Sequence, residues 1–315
     1  MIGFLKKGLL FLGAFFVVGI LINAFQTSDE KQPVLKAVDA KLIEEEMGDD
    51  YNVYALEVPE GLNFAGELVP LNIPDVRERM DRELLVNTYW QSNGLLLIKR
   101  ANKYFPIIEP ILKKNGVPED LKYLAVIESG LMQARSPAGA SGFWQIMKAT
   151  GRENGLEVND NVDERYHIEK ATEVACKFLK SAKEKFGSWT LAAAAYNAGR
   201  TGINRRLDEQ QVDSYYDLLL GEETGRYVFR IIALKEIMTN PDTYGFNYKE
   251  EDLYKPIPTR KIAVDTAIES MADFAKQHGI NYKILKLHNP WLREKNLNNS
   301  SGKTYYIEIP EKGYY

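Results

Sequence analysis

The sequence predicts a mainly α protein: a domain of packed helices followed by a small α+β module in the order strand–helix–helix–strand. Three observations lead there. Apolar residues recur at helical spacing through much of the stretch from Pro74 to Met238. Prolines and glycines fall where helices begin and stop. Strand-like patterns are nearly confined to the chain beyond residue 255. A hydrophobic share of 45% and a charged share of 27% suit a chain that folds around a core.

The elements follow in order. Lys6 and Lys7 precede an uncharged apolar run at 8–25, just long enough to span a bilayer core as a helix. Residues 1–25 are therefore expected to form a membrane anchor, with a cleaved signal as the alternative. The run is longer than a usual signal core, and Ile22 occupies a position where cleavage prefers a small residue. Under either reading the lysines stay inside, and the rest of the chain lies outside the cytoplasm.

Residues 26–70 read as an acidic tether. The stretch 26–60 holds ten acidic residues against three lysines, and Pro33, Pro59, Gly61, Gly66 and Pro70 punctuate the segment. The whole chain has a net charge of −4, so outside the tether it is close to neutral and offers no basic field to nucleic acid.

Residues 71–245 are expected to form the main helical domain. A first helix begins near Pro74 on Val76, Met80, Leu84 and Leu85. Further helices are expected at 94–104, 106–115, 118–129, 167–186, 190–197 and 222–238. Pro106 and Pro118 suit first-turn positions, and Gly116, Gly130 and Gly187 suit stops. After a connector at 239–259, the module at 260–311 is expected to place strands at 261–265 and 305–309 around helices at 267–277 and 282–288.

Cys176 is the single cysteine, so no internal disulfide is possible, and its apolar helical setting suits a buried hydrophobe. His167, His278 and His288 are scattered, so no zinc-type cluster is visible, and no metal or cofactor is implied.

One residue stands out chemically. On helix 118–129 the apolar stripe runs Leu121, Leu124, Ala125, and its next position holds Glu128. No Lys or Arg on the same helix face is placed to pair with it. Burial and the negative end of a helix stopping at Gly130 both disfavour its charged form. A carboxylic acid still protonated near neutral pH is what glycosidic bond cleavage requires. Taken alone, the pattern is read slightly better as a Glu turned to solvent at a frayed helix end.

Three later segments change that balance. Residues 136–142 are rich in small residues and should form a tight loop, followed by Phe143-Trp144-Gln145-Ile146-Met147. Small residues admit close approach of a bulky ligand, and an amide with an aromatic suits sugar hydroxyls and faces. Its plain alternative is a turn with a core Trp. Ala195-Tyr196-Asn197-Ala198-Gly199 ends a helix, and Glu223-Thr224-Gly225-Arg226-Tyr227-Val228 opens another.

Together and in order, these segments resemble the lytic murein transglycosylases of the goose-type lysozyme superfamily, in the membrane-bound D-type form. Glu128-Ser129-Gly130 looks like the catalytic motif, with the three segments as the second to fourth motifs. The resemblance covers about residues 75–240 and implies a lysozyme-like fold. It implies that peptidoglycan glycan strands are the substrate, cleaved between N-acetylmuramic acid and N-acetylglucosamine. Glu128 would act as general acid and then general base, closing a 1,6-anhydro ring on the muramoyl product. Ser136 and Gln145 would contact substrate, Met147 and Tyr196 would line the groove, Asn197 would bind near the reacting sugar, and Tyr227 would orient Glu128. A membrane-anchored enzyme with its catalytic domain in the periplasm follows. A hydrolytic lysozyme is the alternative and would need a second carboxylate, with Asp160 and Asp163 the nearest in sequence after the second motif. A wall-binding scaffold without turnover is a third reading.

The C-terminal module resembles a peptidoglycan-binding LysM domain through residues 279–283 and 285–290. It departs from that pattern at Ala267-Ile268-Glu269-Ser270 and at Ser301-Gly302, which leaves glycan binding and a scaffold role both open.

Overall fold

The computed structural model describes residues 53–314. The anchor expected at 1–25, and most of the tether, lie outside the described residues. Among the described residues no helix is long and apolar enough to cross a membrane.

The architecture is mainly α, with two small two-stranded sheets. A hairpin of β1 (Asn63–Phe64) and β2 (Glu67–Leu68) comes first. Helices α1 (Pro74–Tyr89), α2 (Gln91–Lys114) and α3 (Lys122–Ser129) follow. Then come α4 (Lys148–Glu153), α5 (Ile168–Phe186), α6 (Trp189–Ala198), α7 (Arg200–Gln210) and α8 (Glu222–Thr239). The C-terminal module pairs β3 (Thr259–Val264) antiparallel with β4 (Tyr305–Pro310), with α9 (Met271–Gln277) and α10 (Tyr282–His288) between them.

The sequence expectations need four corrections. Residues 58–70 are no tether: Val58, Leu62, Phe64 and Val69 are buried in the main core. Their apolar positions are too few and too interrupted by Gly and Pro to show a period. The helices expected at 94–104 and 106–115 are one continuous helix, α2, with Pro106 and Pro110 inside it. Each proline removes one backbone donor, but buried Leu97, Ile98, Ala101, Ile108 and Leu112 keep one face on the core across both. The helix expected at 118–129 begins as a 3₁₀ turn, Glu119–Leu121, and turns α at Lys122. The helix expected at 267–277 starts at Met271, capped by the Ser270 hydroxyl, which accepts from the Asp273 amide. Two helices, α4 and α7, had no sequence expectation; α7 is polar and buries only Ile203.

The fold positions α3 as a buried strut. Leu121, Leu124 and Ala125 are wholly buried, and Tyr123 and Val126 nearly so. At about 25 cal/mol per Å² of apolar surface, each leucine contributes on the order of 2 kcal/mol. α3 packs against α2 and α8. Gly130 ends it at φ 59°, and its N–H satisfies the Val126 carbonyl.

α6 is placed from afar. Ala192, Ala193, Ala194 and Ala195 are fully buried, small enough for α5 and α8 to close on both sides. The Glu67 carboxylate, at the hairpin, accepts from the Trp189 and Thr190 amides and from the Ser188 and Thr190 hydroxyls. A carboxylate here also faces the positive end of the helix. Burial alone would raise the pKa of Glu67, but these hydrogen bonds together hold it below the usual value.

A second, smaller core lies under the C-terminal module. It combines Met271, Leu285, Trp291, Leu292, Tyr305 and Ile307 with Val162 and Tyr166 of the preceding domain.

Candidate active site

Glu128 sits one residue from the end of α3, half-buried. The Tyr227 hydroxyl, on α8, donates to its Oε1 at 2.6 Å. Burial raises the pKa of Glu128 above the usual carboxyl value. The Tyr227 bond opposes that by favouring the ionised form, the Glu223 carboxylate adds to the rise, and Arg230 subtracts from it. Burial also pushes the Tyr227 and Tyr196 phenols well above their ordinary range, so both remain protonated donors.

The structure brings the ends of α3, α6 and α8 together. Asn197 Nδ2 donates to Glu223 Oε1 at 3.1 Å, and Asn197 Oδ1 accepts from the Thr224 hydroxyl at 2.7 Å. This double clasp ties the C-terminal end of α6 to the first turn of α8. Tyr196 donates to the Trp144 carbonyl at 2.7 Å and packs edge-on against Phe178. Tyr196 thereby joins α6 to the loop after α3. Thus Tyr196, Asn197 and Tyr227 converge on the region of Glu128.

Ser136, Gln145 and Met147 lie on the loop that follows. Its small residues are used for tightness: Ser141 pairs with both Arg135 and Ile146 in isolated bridges. The Ser136 hydroxyl accepts from the Ala140 amide, and Gln145 Nε2 donates to the carbonyls of Ala134 and Gly142. Gln145 holds a left-handed φ of 45°, uncommon for a residue with a side chain. Met147 is exposed at the loop's end. Trp144 is not a sugar platform. It is fully buried, with its indole N–H donated to Thr172 Oγ1, and the core-Trp alternative holds.

Sequence reasoning missed the residues that support this arrangement. The Arg165 guanidinium donates to the carbonyls of Gly139 and Ile146 while pairing with Asp163. It clamps the loop from beneath. Gly142 lies so close that a Cβ there would sit 2.0 Å from the Arg165 carbonyl oxygen. Asp163, weighed as a second carboxylate, is held by Arg165 in this pair. Asp160 is exposed. The carboxylate that does bear on Glu128 is Glu223. Glu83, 1% exposed, meets Arg82 and Arg226 in close ion pairs and fixes α1 to α8 beside Tyr227. No sequence period marks these positions, because the ties that matter run between segments: Arg165 to the Gly139 and Ile146 carbonyls, and Glu83 to Arg226. Among the described residues no group of three or more His, Cys, Asp or Glu is placed to hold a metal.

Comparison with known proteins places two families on this geometry. Residues 105–218 match the transglycosylase SLT domain, and residues 260–313 match the soluble lytic transglycosylase C-terminal LysM-like domain. The chain is homologous to the membrane-bound lytic murein transglycosylase D of Escherichia coli (strain K12), at 28% identity over 258 residues. The counterpart from Escherichia coli O6:H1 matches equally. The alignment covers 79% of this chain and 55% of either relative, so the chain spans about half the length of the curated relatives it matches. Two solved structures are similar. The lytic transglycosylase Slt of Pseudomonas aeruginosa, in an inactive mutant form, is 20% identical with a TM-score of 0.38, covering 49% of this chain and 26% of that one. The 70 kDa soluble lytic transglycosylase of Escherichia coli is 16% identical with a TM-score of 0.40, covering 64% and 40%.

Proposed function

From a chain that carries an SLT transglycosylase domain and a lytic transglycosylase LysM-like domain, we propose a peptidoglycan lytic transglycosylase with Glu128 as its acid and base. The observation that carries this reading is the half-buried Glu128 carboxyl, raised by burial and held at 2.6 Å by Tyr227. Its protonated form donates to the glycosidic oxygen between N-acetylmuramic acid and N-acetylglucosamine. The bond to the muramoyl C1 breaks, and the leaving sugar departs as the alcohol. The resulting carboxylate then takes the proton from the same muramoyl residue's C6 hydroxyl, and that oxygen closes on C1. One proton leaves Glu128 and one returns. A single carboxyl suffices because the nucleophile is internal to the substrate.

The remaining roles rest on placement. Tyr227 orients the carboxyl. The Asn197–Glu223–Thr224 clasp holds Asn197 beside the reacting sugar. Ser136, Gln145 and Met147, on a clamped loop, contact the strand. The membrane-bound relative and the apolar run at 8–25 together support an anchored enzyme facing the periplasm.

The test is digestion of purified sacculi with mass analysis of the products. The expected result is anhydromuramoyl ends, with Glu128→Gln lowering the rate at least about 1,000-fold. Reducing ends would instead indicate hydrolysis, for which Glu223 is the second carboxylate near enough to matter. Undiminished digestion by Glu128→Gln would remove Glu128 from the chemistry.

A further inference from the structure

The Glu83 carboxylate on α1 is 1% exposed, and three arginines surround it. Its two oxygens are served unequally. Oε1 accepts from Arg82 Nη1 and from Arg226 Nε, each at 2.6 Å. Among the described residues the contacts of Oε2 are all long: Arg226 Nη2 and Asn87 Nδ2 at 3.5 Å, and Arg230 Nε at 3.9 Å. A tie between α1 and α8 needs one arginine, and Arg226 supplies it. A buried carboxylate oxygen without close partners is costly, so Oε2 draws on the further cation within reach, Arg230.

Arg230 stands one turn beyond Tyr227 on α8. It pairs with Glu83 and, among the described residues, makes no ion pair with Glu128. Its charge still reaches Glu128 and favours the ionised form. The other groups that face Glu128 are Tyr227 and Glu223 from α8 and Tyr196 from α6. From α2, the Arg100 guanidinium goes instead to the Gly130 carbonyl, at 3.1 Å. Around Glu83 the further charges are Glu222, which flanks Arg82 and Arg226, and Arg79, which is taken up by Asp75 and the Gly225 carbonyl. Among the described residues, Arg230 is thus the cation on which both carboxyls act.

We propose that Glu83 is a positioning residue for the acid: it competes with Glu128 for the Arg230 guanidinium and holds that cation on the α1 side of α8. At 1% exposure Glu83 cannot meet substrate, so it acts through Arg230. An Arg230 free to swing onto Glu128 would leave that carboxyl ionised, with no proton to give the glycosidic oxygen. This role rests on reading Glu128 as the acid of a transglycosylase.

The experiment uses the full chain on soluble peptidoglycan strands, with kcat and KM measured across pH. Glu83→Gln removes the competing charge and keeps the shape. Its alkaline limb of kcat should move to lower pH, with KM within about twofold. Arg230→Gln should move the limb to higher pH, because it removes a cation that favours ionisation. On the Arg230→Gln background, Glu83→Gln should move the limb no further. If Glu83→Gln fails to fold, Glu83→Asp decides. It keeps the charge on a shorter arm, farther from Arg230, and should move the limb the same way by less. A Glu83 that only ties helices together would lower stability or kcat and leave the limb in place. That outcome, or a limb that still shifts once Arg230 is gone, overturns this role and leaves the transglycosylase reading standing. A wild-type enzyme that leaves the strands uncut overturns the transglycosylase reading, and this role with it.

Discussion

At the residue scale the proposed chemistry depends on opposing influences on one carboxyl. Burial and Glu223 raise the pKa of Glu128, while the Tyr227 hydroxyl and Arg230 lower it. In the proposed role of general acid Glu128 must be protonated, so activity should fall as pH rises through its pKa. Tyr227→Phe removes a donor that favours the ionised form, so the alkaline limb of the kcat profile should move to higher pH. Its kcat should drop roughly 10- to 100-fold, because the carboxyl loses its orienting partner. Glu223→Gln should act in the opposite sense. It removes a negative charge that disfavours ionisation, while the Gln oxygen can still accept from Asn197. Its alkaline limb should move to lower pH. A pH–rate series on the two variants checks both signs, and shifts in the same direction would contradict this account of the site.

At the element scale the site depends on how rigidly a loop and two helix ends are held. The loop after α3 presents Ser136 and Gln145 only because Arg165 grips it at the Gly139 and Ile146 carbonyls. Gly142 has a φ of 79° and no room for a Cβ. Gly142→Ala should therefore cost at least about 2 kcal/mol of stability, since both strain and a backbone clash act. Activity should fall further than stability alone explains, because the displaced loop lies beside the acid. Chemical denaturation paired with digestion kinetics separates the two effects. α6 depends in the same way on Glu67, a residue about 120 positions away in sequence that satisfies its first amides.

At the scale of the whole molecule, the C-terminal module is built onto the helical domain. Val162 and Tyr166 enter its core, and Trp291 lies between His167 and Tyr305. Asn161 is the pin: its Nδ2 donates to the Asn296 carbonyl, its Oδ1 accepts from the Asn298 amide, and its backbone carbonyl accepts from Arg293. Four residues further along the chain lies Arg165, which grips the loop after α3. Asn161→Ala should destabilise the fold by about 1–3 kcal/mol, because it leaves two backbone groups unpaired. Hydrogen exchange should then report faster opening in both the module and residues 136–146. Faster opening confined to the module would show the two to be uncoupled.

The sequence by itself determined the helical class, the module's order of elements and the placement of an acid on an apolar stripe. Those follow from periodicity, from Pro and Gly positions and from local motif order, all of which act within a few residues. Tyr227 was legible through motif resemblance, and the hydrogen bond that pairs it with Glu128 came from the tertiary structure. Only the tertiary structure decided the rest. It put residues 58–70 into the core, buried Trp144, and supplied the charges of Glu223 and Arg230 around Glu128. It also set Glu67 on α6 and Arg165 beneath the loop. The reason is physical. A buried carboxyl's proton affinity and a loop's rigidity are set by groups close in space and remote in sequence, and no period in one dimension records them.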